Sequence, residues 1–185
     1  MSISKLAIAM VISIALFLSI SSPLATADEK LIQQECHYAR VPDVCAQCCD
    51  SDPRSKDADA VGIATIVLGC TSSHAVKLAA NLSEIARKAT NQTMKEAYLE
   101  CSEYFSTANT NLSTAVDMVR KGEYNAAELV LGDLGEEYFE ICSWMVSGPG
   151  RASEGETDFV SPGVSYQMNV FDSLGEAASR IIERL

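Results

Sequence analysis

Apolar residues recur at alternating steps of three and four through most of the chain, the spacing that lays one stripe along an α-helix. Met94, Ala97, Cys101, Tyr104, Ala108, Leu112, Ala115 and Val119 form one such stripe. Arg120 to Glu123 then interrupts it with Gly122, where a helix C-terminus favours a left-handed residue. Ala127, Leu131, Leu134, Tyr138, Ile141 and Met145 resume the period, which predicts a second helix folded back on the first. Val61, Ala64, Leu68, Thr71, Ala75, Leu78, Leu82, Ile85 and Ala89 predict the longest helix, of roughly 30 residues. Phe171, Leu174, Ala178, Ile181 and Leu185 give the last stripe, with Pro162 suited to its first turn. Thr93 and Glu96 read as a capping box for the helix that follows the 90–93 turn. Ser147 to Pro162, rich in Gly, Ser and Pro, reads as a linker. Four stripes with two short connections and one long one predict an all-α chain, an up-down-up-down four-helix bundle. No stretch alternates with the period of a strand.

The cysteines add covalent restraints to that pattern. Cys101 lies 21 residues before Gly122 and Cys142 lies 20 after it. At 1.5 Å per residue both stand roughly 30 Å from the turn, level with each other on adjacent helices. A disulfide between them is geometrically open, and closing a loop of about 40 residues stabilises a fold by about 4 kcal/mol on the chain-entropy account. Lys30 to Asp50 carries Cys36, Cys45, Cys48 and Cys49 around Pro42. Proline disfavours a continuous helix there, so the segment reads as a short helical hairpin pinned by Cys36 and Cys45. It is too small to own a core. Ser51 to Asp59 is polar, contains Pro53 and offers several N-caps for the helix beyond. Seven cysteines are an odd number, which leaves Cys48, Cys49 and Cys70 as extra or free thiols. Adjacent Cys48 and Cys49 rarely bond each other. A free thiol or an intermolecular bridge follows, and the latter admits a homodimer.

Charge and the N-terminus narrow the class. Lys5, the apolar run Leu6 to Ile20 and the small residues Ala25-Thr26-Ala27 read as a secretory signal cleaved after residue 27. The run of 15 residues is shorter than the ~20 a spanning helix needs, so no membrane attachment is expected after cleavage. Residues 28–185 then form one domain, with the hairpin at 28–55 and the bundle at 56–185. The whole chain has net charge −11. Loss of Lys5 leaves 13 Lys and Arg against 25 Asp and Glu, a net of −12. That balance excludes a nucleic-acid footprint and suits steering toward a basic partner. Catalytic signals are lacking: His37 and His74 stand without a G-x-S-x-G elbow, and Cys45-Ala46-Gln47-Cys48 has no βαβ unit around it. Cys36, His37, Cys48 and Cys49 lack a second ligand pair at zinc spacing. The expectation is no catalytic residue, no metal and no cofactor. Asn81, Asn91 and Asn111 open sequons and are N-glycosylation candidates.

The ordered set of motifs is more specific than any one of them. A signal, a Cys-x8-Cys hairpin containing Tyr38 and Pro42, Ser51 to Ser55 (SDPRS), Ala58-Asp59, and a helix holding Ala64 come first. Tyr98 to Tyr104 (YLECSEY), Gly122 to Ala127 (GEYNAA) and Cys142 follow. Over essentially the whole mature chain this resembles the plant invertase and pectin methylesterase inhibitor family. The resemblance implies a secreted four-helix bundle with an N-terminal hairpin, bridged Cys36 to Cys45 and Cys101 to Cys142, and no enzymatic activity. It implies a one-to-one complex that covers the catalytic cleft of a pectin methylesterase or, as the alternative, of a cell-wall or vacuolar acid invertase. Location would be the apoplast and cell wall, with the vacuole open. Ala46-Gln47-Cys48-Cys49 stands in place of the family's Leu-rich turn, and Cys70 is additional. Ile141-Cys142-Ser143-Trp144 and Gly132-Asp133-Leu134-Gly135 also depart from the usual pattern. Glu123-Tyr124-Asn125-Ala126 occupies the turn where family invertase inhibitors carry Pro-Lys-Phe, which is nearer to the pectin methylesterase inhibitors. The binding face is expected on the second and third bundle helices near Glu96, Glu100, Glu103, Glu136 and Glu140. Lipid transfer proteins share a Cys-Cys pair, but need eight cysteines in a much shorter chain.

Overall fold

Asp59 ends the polar boundary by accepting a hydrogen bond from the Gly62 N–H at 2.8 Å, and from this cap the longest helix starts. The structure is a computed structural model. It describes residues 26–147 and 162–185, and the side chains of 29–134, 138–146 and 163–185. Most of the signal and most of the linker read from the sequence lie outside the described residues, as does the Glu136 side chain. Among the described residues no strand occurs.

The hairpin is α1, Thr26–Cys36, and α2, Pro42–Asp50. Pro42 occupies the first turn of α2, where its missing N–H costs nothing, and Cys36 is bonded to Cys45 with Cα atoms 5.5 Å apart. A 3-10 turn, Pro53–Asp57, follows under Asp52, whose side chain accepts from the Arg54 N–H at 2.9 Å. Then come α3, Ala60–Lys88, and α4, Gln92–Lys121. Gly122 closes α4 with φ 77°. Its N–H reaches Val119 O at 3.1 Å while the Glu123 N–H reaches Met118 O at 2.9 Å, the paired closure that a left-handed glycine permits. Next are α5, Tyr124–Asp133, a π-helical segment, Leu134–Glu140, and α6, Ile141–Ser147. The last helix, α7, is Pro162–Ile182.

Helices α3, α4, the α5–π–α6 unit and α7 form the four-helix bundle, with α3 packed along both α4 and α7. Leu68, Leu78, Phe105, Leu112, Phe171 and Leu174 are buried between them. Phe105 meets Phe171 edge to face with ring centroids 5.1 Å apart, the orientation that aromatic quadrupoles favour. By length and composition α3 is apolar enough to cross a membrane, but its stripe from Ala64 to Leu82 lies in this core.

Four details differ from the sequence pattern. The cap of α4 is Asn91, whose Oδ1 accepts from the Met94 N–H at 3.1 Å, instead of Thr93. Asn caps at least as well as Thr, and the earlier start adds helix. Phe105, not Tyr104, is the buried aromatic of α4, because Tyr104 keeps its hydroxyl at the surface, where it donates to Glu100 Oε1 at 3.1 Å. In the third bundle unit the stripe slips by one residue after Leu134: Cys142 and Val146 are buried, while Ile141 is exposed and Met145 half-buried. A π-helix bonds i to i+5 and so inserts one residue into the turn. Leu185 lies past the end of α7 and is partly exposed.

Space for an added Cβ is open at Gly122, so substitution there costs only the left-handed backbone. Gly122→Ala is expected to lose about 1–2 kcal/mol, read as a lower urea midpoint at unchanged slope. An unaltered midpoint would contradict the closure described.

Candidate functional site

Successive steps of three and four place Glu96, Leu99, Glu100 and Glu103 along one exposed edge of α4. Gln92 donates to Glu96 Oε1 at 2.7 Å, and Tyr104 donates to Glu100, so two of these carboxylates are held by neighbours one turn away. Cys101, in the middle of this edge but turned inward, is bonded to Cys142 with Cα atoms 5.4 Å apart. The bond fixes α6 against α4. It brings Ile141, 39% exposed, and Trp144, 68% exposed, within two residues of the bridge on one strand of the seam, as Leu99, 41% exposed, is on the other. An exposed aromatic with an aliphatic residue one turn away, on a helix held against one that carries exposed carboxylates, has the composition of a protein-docking surface.

Glu140 does not join that edge. It lines a cleft of about 440 Å³ with Arg40, Phe139, Asp172 and Glu176, between the α5–π unit and α7. Tyr138, two residues earlier, faces the other way: its ring lies 5.6 Å from that of Tyr104, and Asn111 Nδ2 donates to its hydroxyl at 3.5 Å. The π segment thus divides the expected acidic residues between two surfaces.

The cleft is closed at one end by the hairpin. Arg40 donates to Asp172 Oδ2 at 2.7 Å, and its Nε lies 3.0 Å from Glu176 Oε2 as an ion pair without hydrogen-bond alignment. Arg184 pairs with the buried Glu35 to make a second tie. Burial pushes the Asp172 carboxyl above its ordinary value of 3.8; Arg40 opposes this, and the charges of Glu176 and Glu140 add to it. Arg40 and Asp172 are 132 residues apart, so no local pattern announces them.

The remaining candidates sort by burial. Cys48 is bonded to Cys70, with Cα atoms 6.0 Å apart, and Cys49 is a buried free thiol. Burial first, then the charges of Asp50 and Asp52, push that thiol up to about 11, so it offers no reactive thiolate for an intermolecular bridge. His37 is exposed, edge-on to Tyr38. His74 is half-buried beside Cys70, and burial followed by the charge of Lys77 lowers its pKa. Neither histidine shares a hydrogen bond with a serine or carboxylate among the described residues, so no nucleophile and base are paired. Cys48, Cys70 and His74 form a group of metal-type side chains. Of the sequon residues, Asn91 is exposed at the α3–α4 turn. Asn81 is half-buried and its Nδ2 donates to Gln167 Oε1 at 3.0 Å, while Ser83 of the same sequon pairs with Ser102 at 2.7 Å. Asn111 is half-buried against Tyr138.

Comparison with known proteins bears on this surface. The profile described as "Plant invertase/pectin methylesterase inhibitor" matches residues 30–144, more than half of the chain. A pectinesterase inhibitor of Actinidia deliciosa is 27% identical over 134 residues, covering 70% of this chain and 72% of the relative. Pectinesterase inhibitor 2 of Arabidopsis thaliana is 29% identical over 97 residues, 52% of this chain and 54% of the relative.

The raised pKa of Asp172 has a definite sign in stability. The folded chain holds this proton more tightly than the unfolded one, so between 3.8 and the raised value stability is gained as pH falls and lost as it rises. The stability of the wild type relative to Asp172→Asn should therefore increase on acidification from about pH 7 toward about pH 4, measured by denaturant midpoints. A difference that shrinks over that range would mean that Arg40 outweighs burial.

Proposed function

Because the chain belongs to the plant invertase/pectin methylesterase inhibitor family, we propose that it is a secreted, non-catalytic inhibitor of a pectin methylesterase in the cell wall. It binds the enzyme one to one and covers the catalytic cleft with the exposed edge of α4 and α6. The observation that carries this reading is that the Cys101–Cys142 bond holds α6, with its exposed Ile141 and Trp144, against α4, whose exposed residues include Glu96, Leu99, Glu100 and Glu103. Trp144 supplies the aromatic anchor that protein interfaces use for most of their affinity. The three carboxylates and the net charge of −12 left after loss of the signal, 13 Lys and Arg against 25 Asp and Glu, favour encounter with a basic enzyme surface. Both matched relatives carry the name of pectinesterase inhibitors. At the α4–α5 turn, Tyr124 packs toward the core, so this turn offers no exposed aromatic for docking. That favours pectin methylesterase over acid invertase, the family's other target class.

The same reading places the glycan. Asn91 is exposed, and its Oδ1 caps α4, a role that attachment at Nδ2 leaves intact. Asn81 and Asn111 use their Nδ2 atoms in contacts between elements. Glycosidase treatment in heavy-oxygen water followed by peptide mass spectrometry is expected to label Asn91 and to leave Asn81 unlabelled. A labelled Asn81 would contradict the assignment.

Inhibition is tested by mixing the purified protein with pectin methylesterases and with cell-wall and vacuolar invertases at mildly acidic pH. Pectin methylesterase activity should fall at equimolar inhibitor, with invertases unaffected and an association rate that drops with salt. Trp144→Ala is expected to raise the Kd about thirtyfold, roughly 2 kcal/mol. Inhibition of invertase alone would transfer the target to the alternative, and inhibition of neither would refute the proposal.

A further inference from the structure

One turn beyond Cys45 on α2, Cys48 is bonded to Cys70 of α3, and His74 stands one turn further along α3. The two Sγ atoms and an imidazole nitrogen all lie within 4.8 Å of one another. Residues four apart project from the same helix face, so Cys70 and His74 are presented together from the interior of α3. A tetrahedral Zn²⁺ with bonds of about 2.3 Å to sulfur and about 2.0 Å to nitrogen holds such ligands roughly 3.5–4 Å apart. Opening the S–S bond and a small rotation of each sulfur meet that spacing without moving either helix.

The surroundings leave the bridge accessible from solvent. A cleft of about 340 Å³, lined by Cys48, Asp52, Cys70 and Ser73 among others, opens over the bridge. A small thiol can therefore reach it, and water can occupy a fourth coordination position. Asp52 lines this cleft, and Arg54, which lines it too, holds its carboxylate as an ion pair. The rest of the chain is arranged to survive loss of the bond. Cys36, Cys45, Cys101 and Cys142 are all 1% exposed or less, so the other bridges are shielded from a reductant. Arg40 with Asp172 and Arg184 with Glu35 still tie the hairpin to α7.

We propose that the Cys48–Cys70 disulfide is a redox-gated metal site: once a small-molecule thiol reduces it, Cys48, Cys70 and His74 bind one Zn²⁺. In the first step two thiols, RSH, form RSSR while the Cys48–Cys70 S–S bond breaks, and each protein sulfur gains one electron and one proton. In the second step Zn²⁺ displaces both thiol protons to solvent and accepts the lone pair of the neutral His74 imidazole. Cys49 takes no part, since it is buried and lies outside the group that Cys48, Cys70 and His74 form.

The test treats the purified chain, with its disulfides formed, with increasing concentrations of a small thiol and maps the opened bridges by peptide analysis. Co²⁺ serves as the spectroscopic probe for Zn²⁺. The oxidised chain should bind no Co²⁺. The chain with only Cys48–Cys70 open should bind one, with a thiolate-to-metal charge-transfer band that Zn²⁺ abolishes and with helical circular dichroism preserved. His74→Ala should weaken binding at least tenfold, and Cys49→Ser should leave it unchanged. The proposal is overturned by a reduced, still helical chain that binds no Co²⁺, by equal binding in the oxidised chain or in His74→Ala, by earlier opening of another bridge, or by loss of helix when this bridge opens.

Discussion

The register between α4 and the unit beyond Gly122 is the constraint on which the rest of the structure depends. Through α5 the inward residues are Ala127, Leu131 and Leu134, in step with an ordinary helix. Continued as such, the helix would next turn Ile141 inward and leave Cys142 about 100° around the axis. The π segment from Leu134 to Glu140 takes up one extra residue. Cys142 then arrives at the seam, where its Cα lies 5.4 Å from that of Cys101, inside the range a disulfide requires. The bond and the π turn support each other. A π turn is rarely stable by its own hydrogen bonds, and the closed loop of 41 residues holds it in place. The slip that buries Cys142 also turns Ile141 out beside Trp144, so the covalent lock of the bundle and this exposed apolar pair have one origin.

The hairpin is attached by different means. With α1 and α2 each too short for a separate core, it leans on the bundle through Ile32, Cys36, Cys45 and Cys49, which are buried in the common interior. Charge ties it at the far side, where Arg40 reaches two carboxylates of α7. Exposed ion pairs are individually weak, but Asp172 and Glu35 are removed from solvent, and an unpaired carboxylate at either place would be costly. The acidic cleft beneath Arg40 and the edge of α4 are therefore separate in role. One holds the hairpin, and the other is free to meet a partner.

How far the sequence could be read follows from the range of each interaction. The stripes of α3, α4 and α7 were legible because burial repeats with the helical period, and Gly122 marked its turn because few other residues accept φ 77°. Phe105 was hidden by Tyr104, an adjacent aromatic that fits the stripe nearly as well and differs by a hydroxyl that prefers water. Asn91 was hidden by Thr93 and Glu96, which make a capping pattern of their own two residues later. The slip at the π segment has no local signal beyond the glycines Gly132 and Gly135 in an otherwise helical run, so the expected positions of Ile141 and Met145 moved. Of the acidic face, Glu96, Glu100 and Glu103 share an edge, whereas Glu140 was carried by the same slip to the α7 side. Arg40 and Asp172 lie beyond any pattern in the chain, since only the folded bundle brings them together.

The central claim is that partner binding falls on the edge that the Cys101–Cys142 register builds. Hydrogen–deuterium exchange of the chain, free and in the presence of saturating pectin methylesterase, the proposed target, tests it most directly. Slowed exchange at residues 96–103 and 141–144, with the hairpin and α7 unchanged, is the predicted result. Protection confined to the hairpin or to α7, with those two segments unaltered, would contradict it.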